Sequence, residues 1–372
     1  AAEYRASSVQ QHDLAQLRRA ALAADPFEGL AFERILDALP EGRTELLEAF
    51  KVCFLRHHPE YRPDAAMVVS GSARTALGLL GFHCGIREVV IPDLSWTYEH
   101  CFPSVTSVPL TPDFELEVDR LIATVEDKLG RDPDWGGHGA VVFNNPHNAT
   151  GQVFREEALR TLLRHFLGRG VFVIDDLSYQ NVAPSRDLSG PMTLRQLANE
   201  LARLGYISTE QADRLITVHS LSKTDCLAGA RLSVGEIRDP DLRARFEAVN
   251  RSIVPNTGAI LLAYLFYRQG SQSAGSYWRL RNLIFEERMS AIEKAVADLP
   301  ATTYPNEGSE MHCSKRATDW HFASSGSSQT SWALIKLFCR SIIMAAKLAP
   351  CVTADRLTLP QTVRLQSAKT VA

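Results

Sequence analysis

Lys223 stands in the run Ser220-Leu221-Ser222-Lys223-Thr224-Asp225-Cys226-Leu227-Ala228-Gly229-Ala230-Arg231, directly after the apolar run Leu215-Ile216-Thr217-Val218. An amine carried just past the end of a strand, with the Ser220 hydroxyl before it and the Arg231 guanidinium after it, suits a Schiff base to an aldehyde that also bears a phosphate. The amine takes the carbonyl carbon and the arginine the phosphate. A lone lysine is more often a solvated surface group, so the rest of the chemistry must come from other segments.

Two upstream segments supply it. In Val171-Phe172-Val173-Ile174-Asp175-Asp176-Leu177-Ser178-Tyr179 a buried-type strand ends in carboxylates followed by a phenol. Such a carboxylate keeps a pyridine nitrogen protonated. In Ala140-Val141-Val142-Phe143-Asn144-Asn145-Pro146-His147-Asn148-Ala149-Thr150-Gly151 a second apolar strand runs into an asparagine-rich turn, whose amide can donate to a phenolate oxygen. All of these groups fall at strand ends, where open α/β sheets bind their ligands.

With these residues the chain resembles the fold-type I pyridoxal-phosphate enzymes, and within them the class I/II aminotransferases. The resemblance implies pyridoxal 5′-phosphate as cofactor and a role for each group. Asn148, in a turn close to the family's Asn-Pro-Thr-Gly but with Ala149 in place of the proline, and Tyr179 would hydrogen-bond the cofactor's O3′. Asp176 would pair with the pyridinium nitrogen, and Asp175 is the rival for that role. Lys223 would form the Schiff base and carry the Cα proton, and Ser220 and Arg231 would bind phosphate.

The N-terminal half adds to this cradle. Met67-Val68-Val69-Ser70-Gly71-Ser72-Ala73-Arg74-Thr75-Ala76-Leu77 reads as a strand, a small-residue turn and the start of an amphipathic helix. First-turn N–H groups have no intrahelical acceptor and sit at the positive end of the helix dipole, so Ser72, Ala73 and Arg74 are candidate phosphate contacts. Glu88-Val89-Val90-Ile91-Pro92-Asp93-Leu94-Ser95-Trp96-Thr97-Tyr98 is a strand followed by an aromatic loop. The resemblance places Trp96 flat on the pyridine ring, with Tyr98 as the alternative.

The elements that must position these groups are legible as a pattern. Between about Met67 and Glu236 near-continuous apolar runs alternate with helical stretches, as expected for a mostly parallel sheet covered by helices on both faces. The fold class is therefore α/β, and the resemblance implies a seven-stranded type of sheet with a smaller α+β domain. The implied organisation is an N-terminal arm over 1–44 that joins the small domain, a large cofactor-binding domain over 45–275, and a small C-terminal domain over 276–372. Thr193 to Leu204 reads as an additional helix at the site's entrance, and Arg279 to Leu299 as one long amphipathic helix.

Composition sets outer bounds. The 372 residues, 45% hydrophobic, suffice for a sizeable core. A net charge of −3 offers no broad cationic surface for nucleic acid. Seven scattered cysteines without a Cys-x-x-Cys pair suit a reducing cytoplasm, and Cys226 reads as a buried packing group. No apolar window is long enough to cross a bilayer, and the polar start of the chain has no signal-peptide core. Among the 11 histidines no metal-ligand spacing occurs; His57, His58 and His147 read as surface or supporting groups.

Three departures from the family pattern bear on function. Ile35-Leu36-Asp37-Ala38-Leu39-Pro40 lacks the tyrosine with which relatives reach a neighbouring subunit's phosphate, although a homodimer is still expected. The stretch Ala183 to Asp213 is long. After Thr303-Tyr304-Pro305-Asn306-Glu307-Gly308-Ser309 an apolar strand is expected, but Glu310-Met311-His312-Cys313-Ser314-Lys315-Arg316 and the tract Ala323-Ser324-Ser325-Gly326-Ser327-Ser328 follow. The pattern resumes at Leu359-Pro360-Gln361-Thr362-Val363-Arg364-Leu365, where Arg364 would grip a substrate α-carboxylate. The implied activity is amino-group transfer between an L-amino acid and a 2-oxo acid. Elimination, decarboxylation or oxidation on the same cofactor is the alternative, and a non-catalytic cofactor-binding regulator a remote one.

Overall fold

The computed structural model describes residues 42–182, 191–268, 275, 277–287 and 290, and two short strands at 301–303 and 314–316. Most of the expected arm over 1–44, most of 276–372 with Arg364, and the Ser/Gly tract lie outside the described residues.

The chain enters through α1 (Gly42–Leu55), β1 (Ala66–Ser70) and α2 (Ala73–Phe82), then β2 (Glu88–Pro92), β3 (Ser104–Val108) and α3 (Val118–Arg131). It continues through β4 (Gly139–Phe143), α4 (Glu156–Gly168), β5 (Phe172–Leu177), α5 (Leu194–Arg203) and β6 (Leu215–Ser220). The short α6 (Leu221–Thr224) carries Lys223 and is followed by β7 (Leu232–Ile237), α7 (Pro240–Asn250) and α8 (Thr257–Arg268). Residues 277–287 form a further helix, α9. A separate antiparallel pair joins β8 (Ala301–Thr303) to β9 (Ser314–Arg316), so part of the Glu310 to Arg316 segment does extend as a strand.

Seven strands form one sheet in the order β1-β7-β6-β5-β4-β2-β3. β7 pairs antiparallel with both β1 and β6, whereas the β6-β5, β5-β4, β4-β2 and β2-β3 pairs are parallel. Every residue of β4, β5 and β6 is buried. Strands covered on both faces have no polar side to display, which is why these segments read as continuous apolar runs.

Helix spacing accounts for the cover. In α4 the buried residues Leu159, Leu162, Leu163, Phe166 and Leu167 recur at one face of a 3.6-residue period. They join Val173 of β5 and Leu197, Ala198 and Leu201 of α5 in one cluster. On the other face α2 contributes Ala73, Ala76, Leu77 and Leu80, which meet Ile174 of β5, Ile216 and Val218 of β6, and Phe246 of α7. Burying one such leucine removes enough apolar surface to contribute roughly 1.5–3 kcal/mol. α1 and α8 extend the first face over β1 and β7 through Phe50, Phe54, Ile260, Val68 and Val234.

The additional helix expected over Thr193 to Leu204 is present as α5. A reciprocal cap starts it: Gln196 N donates to Thr193 Oγ1 at 3.1 Å, and Thr193 N donates to Gln196 Oε1 at 2.9 Å. Its inner face is core, because Arg195 is fully buried and ion-paired with Glu236 of β7 at 2.7 Å. His58 also departs from expectation, lying buried and stacked on Phe54 rather than on the surface. No described helix is long and apolar enough to cross a membrane.

Candidate cofactor and active site

Strand alternation decides which groups share a face. Ile174 belongs to the α2 side of the sheet, so Asp176, two residues on, points to the same side. Asp175 follows Val173 to the α4 and α5 side. The hydrogen bonds agree. Asp175 Oδ2 accepts from Leu194 N at 2.9 Å and so caps the start of α5. Asp176 Oδ2 accepts from the Tyr98 hydroxyl at 2.9 Å, and its Oδ1 from Ser178 Oγ at 2.6 Å and Ser178 N at 3.2 Å.

Both carboxyls are buried, and both are pushed up from the usual carboxylate range, chiefly by loss of water. For Asp175 the value reaches about 8, with the neighbouring Asp176 charge adding to the burial. Ser178 and Tyr98 work against the shift at Asp176, because donors favour the charged form. A cation against Asp176 would favour it further.

The aromatic loop after β2 serves this carboxylate. Tyr98 is fully buried and sits edge-on to Trp96, with ring centroids 5.4 Å apart. Trp96 is half-buried, and the Arg74 guanidinium lies 5.1 Å above its ring centroid. Tyr98, expected as the alternative stacking ring, therefore holds Asp176 by its hydroxyl, while Trp96 keeps a face beside the start of α2.

The asparagine turn is tied to the same strand end. Asn144 Nδ2 donates to the Asp176 carbonyl at 2.6 Å, and Asn144 Oδ1 accepts from Asn148 N at 2.9 Å. Asn148 Nδ2 then donates to the Tyr179 hydroxyl at 3.2 Å. Inside the turn His147 is fully buried, with Nε2 at 3.0 Å from Ser95 Oγ and Nδ1 at 2.8 Å from Thr150 Oγ1. Burial lowers its pKa to about 3, so it stays neutral and works as a strut between the two loops.

At the other end of the row, pairing brings three candidate phosphate segments together. Ser70 lies opposite Leu232, and Ser220 opposite Ser233. Gly71 N donates to the Arg231 carbonyl at 2.6 Å, which joins the turn before α2 to the start of β7. Gly71 has φ of +108°, and a Cβ there would fall 2.0 Å from Thr75 Oγ1, so only glycine fits. Ser72 caps α2 and is buried with Ala73, whereas the Arg74 side chain is exposed. Arg231, itself at φ 53°, is exposed, and its Nη1 donates to the Ala228 carbonyl at 3.1 Å.

Ser220 caps α6, accepting from Ser222 N at 3.3 Å. Lys223 is half-buried on that single turn, and among the described residues its ammonium has neither a hydrogen bond nor a carboxylate partner. Cys226 is half-buried at φ 54°, with its thiol directed at the Lys223 carbonyl at 3.9 Å, rather than a buried packing group. The roles of Asn144, Ser178 and Tyr98 around Asp176 escape a reading of types alone. Their spacing was the available signal: Asn144 and Asn148 stand four apart across the turn, and Tyr98 closes the aromatic loop.

A family model described as "Aminotransferase class I and II" matches residues 10–277. The probable aspartate/prephenate aminotransferase of Aquifex aeolicus is 31% identical over 168 residues, 40% of this chain and 40% of that protein. The probable aspartate aminotransferase of Methanocaldococcus jannaschii is 20% identical over 280 residues, 73% of this chain and 67% of that protein. The first of these matches thus spans less than half the length of its relative. Among solved structures, a Thermus thermophilus aspartate aminotransferase mutant superposes with a TM-score of 0.56 at 18% identity, covering 78% of this chain and 74% of that one. The Thermotoga maritima aspartate aminotransferase gives 0.55 at 18% identity, covering 71% and 66%.

Proposed function

The chain belongs to the class I and II aminotransferases, and from that premise we propose that it moves an amino group between an L-amino acid and a 2-oxo acid, with pyridoxal 5′-phosphate as cofactor. The observation that carries the reading is the shared face: Asp176, Tyr98, Trp96 and the start of α2 all lie on one side of the sheet, at the strand end that also delivers Ser220 and Lys223.

The donor set suits the cofactor. Ser222 Oγ and Ser233 Oγ are buried without a partner among the described residues, one beside Lys223 and the other opposite Ser220, and a bound phosphate would be an acceptor of the kind such hydroxyls need. The first N–H groups of α2, Ser72 and Arg231 add to that anion site. Asp176, buried yet supplied with donors, is matched to a cationic ring nitrogen. Asn148 and Tyr179 present an amide and a phenol to one oxygen.

When bound, pyridoxal phosphate supplies an aldehyde that takes up amines and a ring that accepts an electron pair. Lys223 Nζ, half-buried and without a hydrogen bond or carboxylate partner among the described residues, is the group that would hold the aldehyde covalently and, once a substrate amine had displaced it, would take and return the Cα proton. Asp176 would keep the ring nitrogen charged, and the Tyr98 and Ser178 donors favour its carboxylate form against the upward push of burial. Arg364, outside the described residues, is assigned the substrate's α-carboxylate. A homodimer in the cytoplasm, with no nucleic-acid or membrane partner, completes the reading.

Two measurements test it. Borohydride reduction followed by peptide mapping is expected to place the cofactor on Lys223. With an amino acid alone the reaction is expected to stop after one half-turnover and to resume on addition of a 2-oxo acid. Label on another lysine, or continued product without the oxo acid, would overturn the respective part.

A further inference from the structure

The first two turns of α9 direct four side chains toward the loops that carry Lys223 and Tyr179. Tyr277, Trp278, Arg281 and Asn282 recur at i, i+1, i+4 and i+5, which places them on one helix face. Arg281 is buried, and its two terminal nitrogens go to different loops. Nη1 donates to the carbonyl of Thr224, the residue after Lys223, and Nη2 donates to the carbonyl of Asn181, two residues after Tyr179. Asn282 Oδ1 accepts from Arg281 Nε at 3.1 Å and Nη2 at 2.8 Å, which fixes the fork, and Asn282 Nδ2 donates to the same Asn181 carbonyl at 3.1 Å.

Asp225 completes the set from the Lys223 side. It is buried, and its carboxylate accepts from the Tyr267 hydroxyl of α8 at 2.7 Å and from Trp278 Nε1 at 2.9 Å. Its carbonyl accepts from the Tyr277 hydroxyl at 3.2 Å. Burial pushes the Asp225 carboxyl up, whereas the Tyr267 and Trp278 donors and the Arg281 guanidinium act the other way and favour its charged form.

We propose that Arg281 is a positioning residue that holds the Lys223 loop and the Tyr179 loop at a fixed spacing by donating to a main-chain carbonyl of each. The inference rests on the proposed function, in which Lys223 and Tyr179 address one cofactor. A planar guanidinium suits the task because its donors diverge at fixed angles, whereas an ammonium acts as a single point. Groups on two separate loops keep a common target only if their spacing is held to a fraction of an ångström.

A double-mutant cycle on the full-length protein tests it, read as pyridoxal phosphate affinity by absorbance titration and as the pH midpoint of the bound chromophore without substrate. Arg281→Met and Tyr179→Phe are each expected to weaken affinity about tenfold, as loss of a charge-assisted or buried hydrogen bond would. Together they are expected to weaken it little more than either alone, because Tyr179 contributes only while the spacing is held. Arg281→Lys, which keeps the charge and one donor group, serves where the methionine variant does not fold. It is expected to reproduce the non-additivity and shift the pH midpoint. Additive losses, or full recovery of affinity and midpoint with lysine, would mean that Arg281 only stabilises the fold. Borohydride labelling of the wild type separates the two readings: label absent from Lys223 overturns the function and this inference together, and label on Lys223 with an additive cycle overturns this inference alone.

Discussion

Two adjacent aspartates have opposite work because consecutive strand residues face opposite ways. Asp176 meets Tyr98 and Ser178, so removing the Tyr98 hydroxyl takes a donor from a buried carboxylate. Tyr98→Phe is expected to lower kcat/KM of the cofactor-saturated enzyme by about 10- to 100-fold, from a loss of roughly 1.5–3 kcal/mol. An unchanged value would remove Tyr98 from the machinery. Asp175 instead bears on stability. Its pKa rises from 3.8 to about 8 on folding, so the folded state binds the extra proton between those values. The associated stability is fully present below the unfolded pKa and is lost as pH rises through about 8. Asp175→Asn is expected to flatten the fall in Tm across that window and to leave catalysis nearly intact, and a Tm that still falls as steeply would contradict it.

α5 shows how an element is tied in. Arg195 reaches through the core to Glu236, and its Nη1 and Nη2 donate to the carbonyls of Ala212 and Leu215 at 3.0 and 2.5 Å. Removing one member of a buried pair strands the other charge, here only partly balanced by Arg238 at 2.7 Å from Glu236. Arg195→Met is therefore expected to cost about 3–5 kcal/mol in urea unfolding. Restoring charge balance with Glu236→Gln is expected to recover part of that loss. A surface helix would have lost almost nothing, so a change under about 0.5 kcal/mol would contradict the packing.

For the molecule as a whole, the candidate site draws on the turns after β1, β4, β5 and β6, so a ligand bound there would stabilise an edge strand and three central ones together. Stripping the cofactor is expected to lower Tm, and re-adding pyridoxal phosphate at a hundredfold excess over Kd is expected to restore about 2.7 kcal/mol. The check is a calorimetric scan at several cofactor concentrations. A Tm independent of concentration would mean that the folded chain does not bind it.

The order of the chemical groups was legible without coordinates. Lys223, Asn148, Tyr179 and the aspartate pair each follow an apolar run, and any chain that buries such runs in a parallel sheet brings their ends to one edge. In the sequence, Asp176 is set apart from its rival Asp175 only by Tyr179 standing three residues on. β5 is buried on both faces and has no polar alternation to mark them, so only strand pairing and the helices on each side show which aspartate faces α2 and which faces α5. The same holds for Tyr98, whose hydroxyl is aimed by the loop and not by its residue type. The clamp around Arg281 was invisible for a further reason. Its partners are main-chain carbonyls of Thr224 and Asn181, 57 and 100 residues away, and a carbonyl has no letter in a sequence. Tertiary packing alone brings that cation to them.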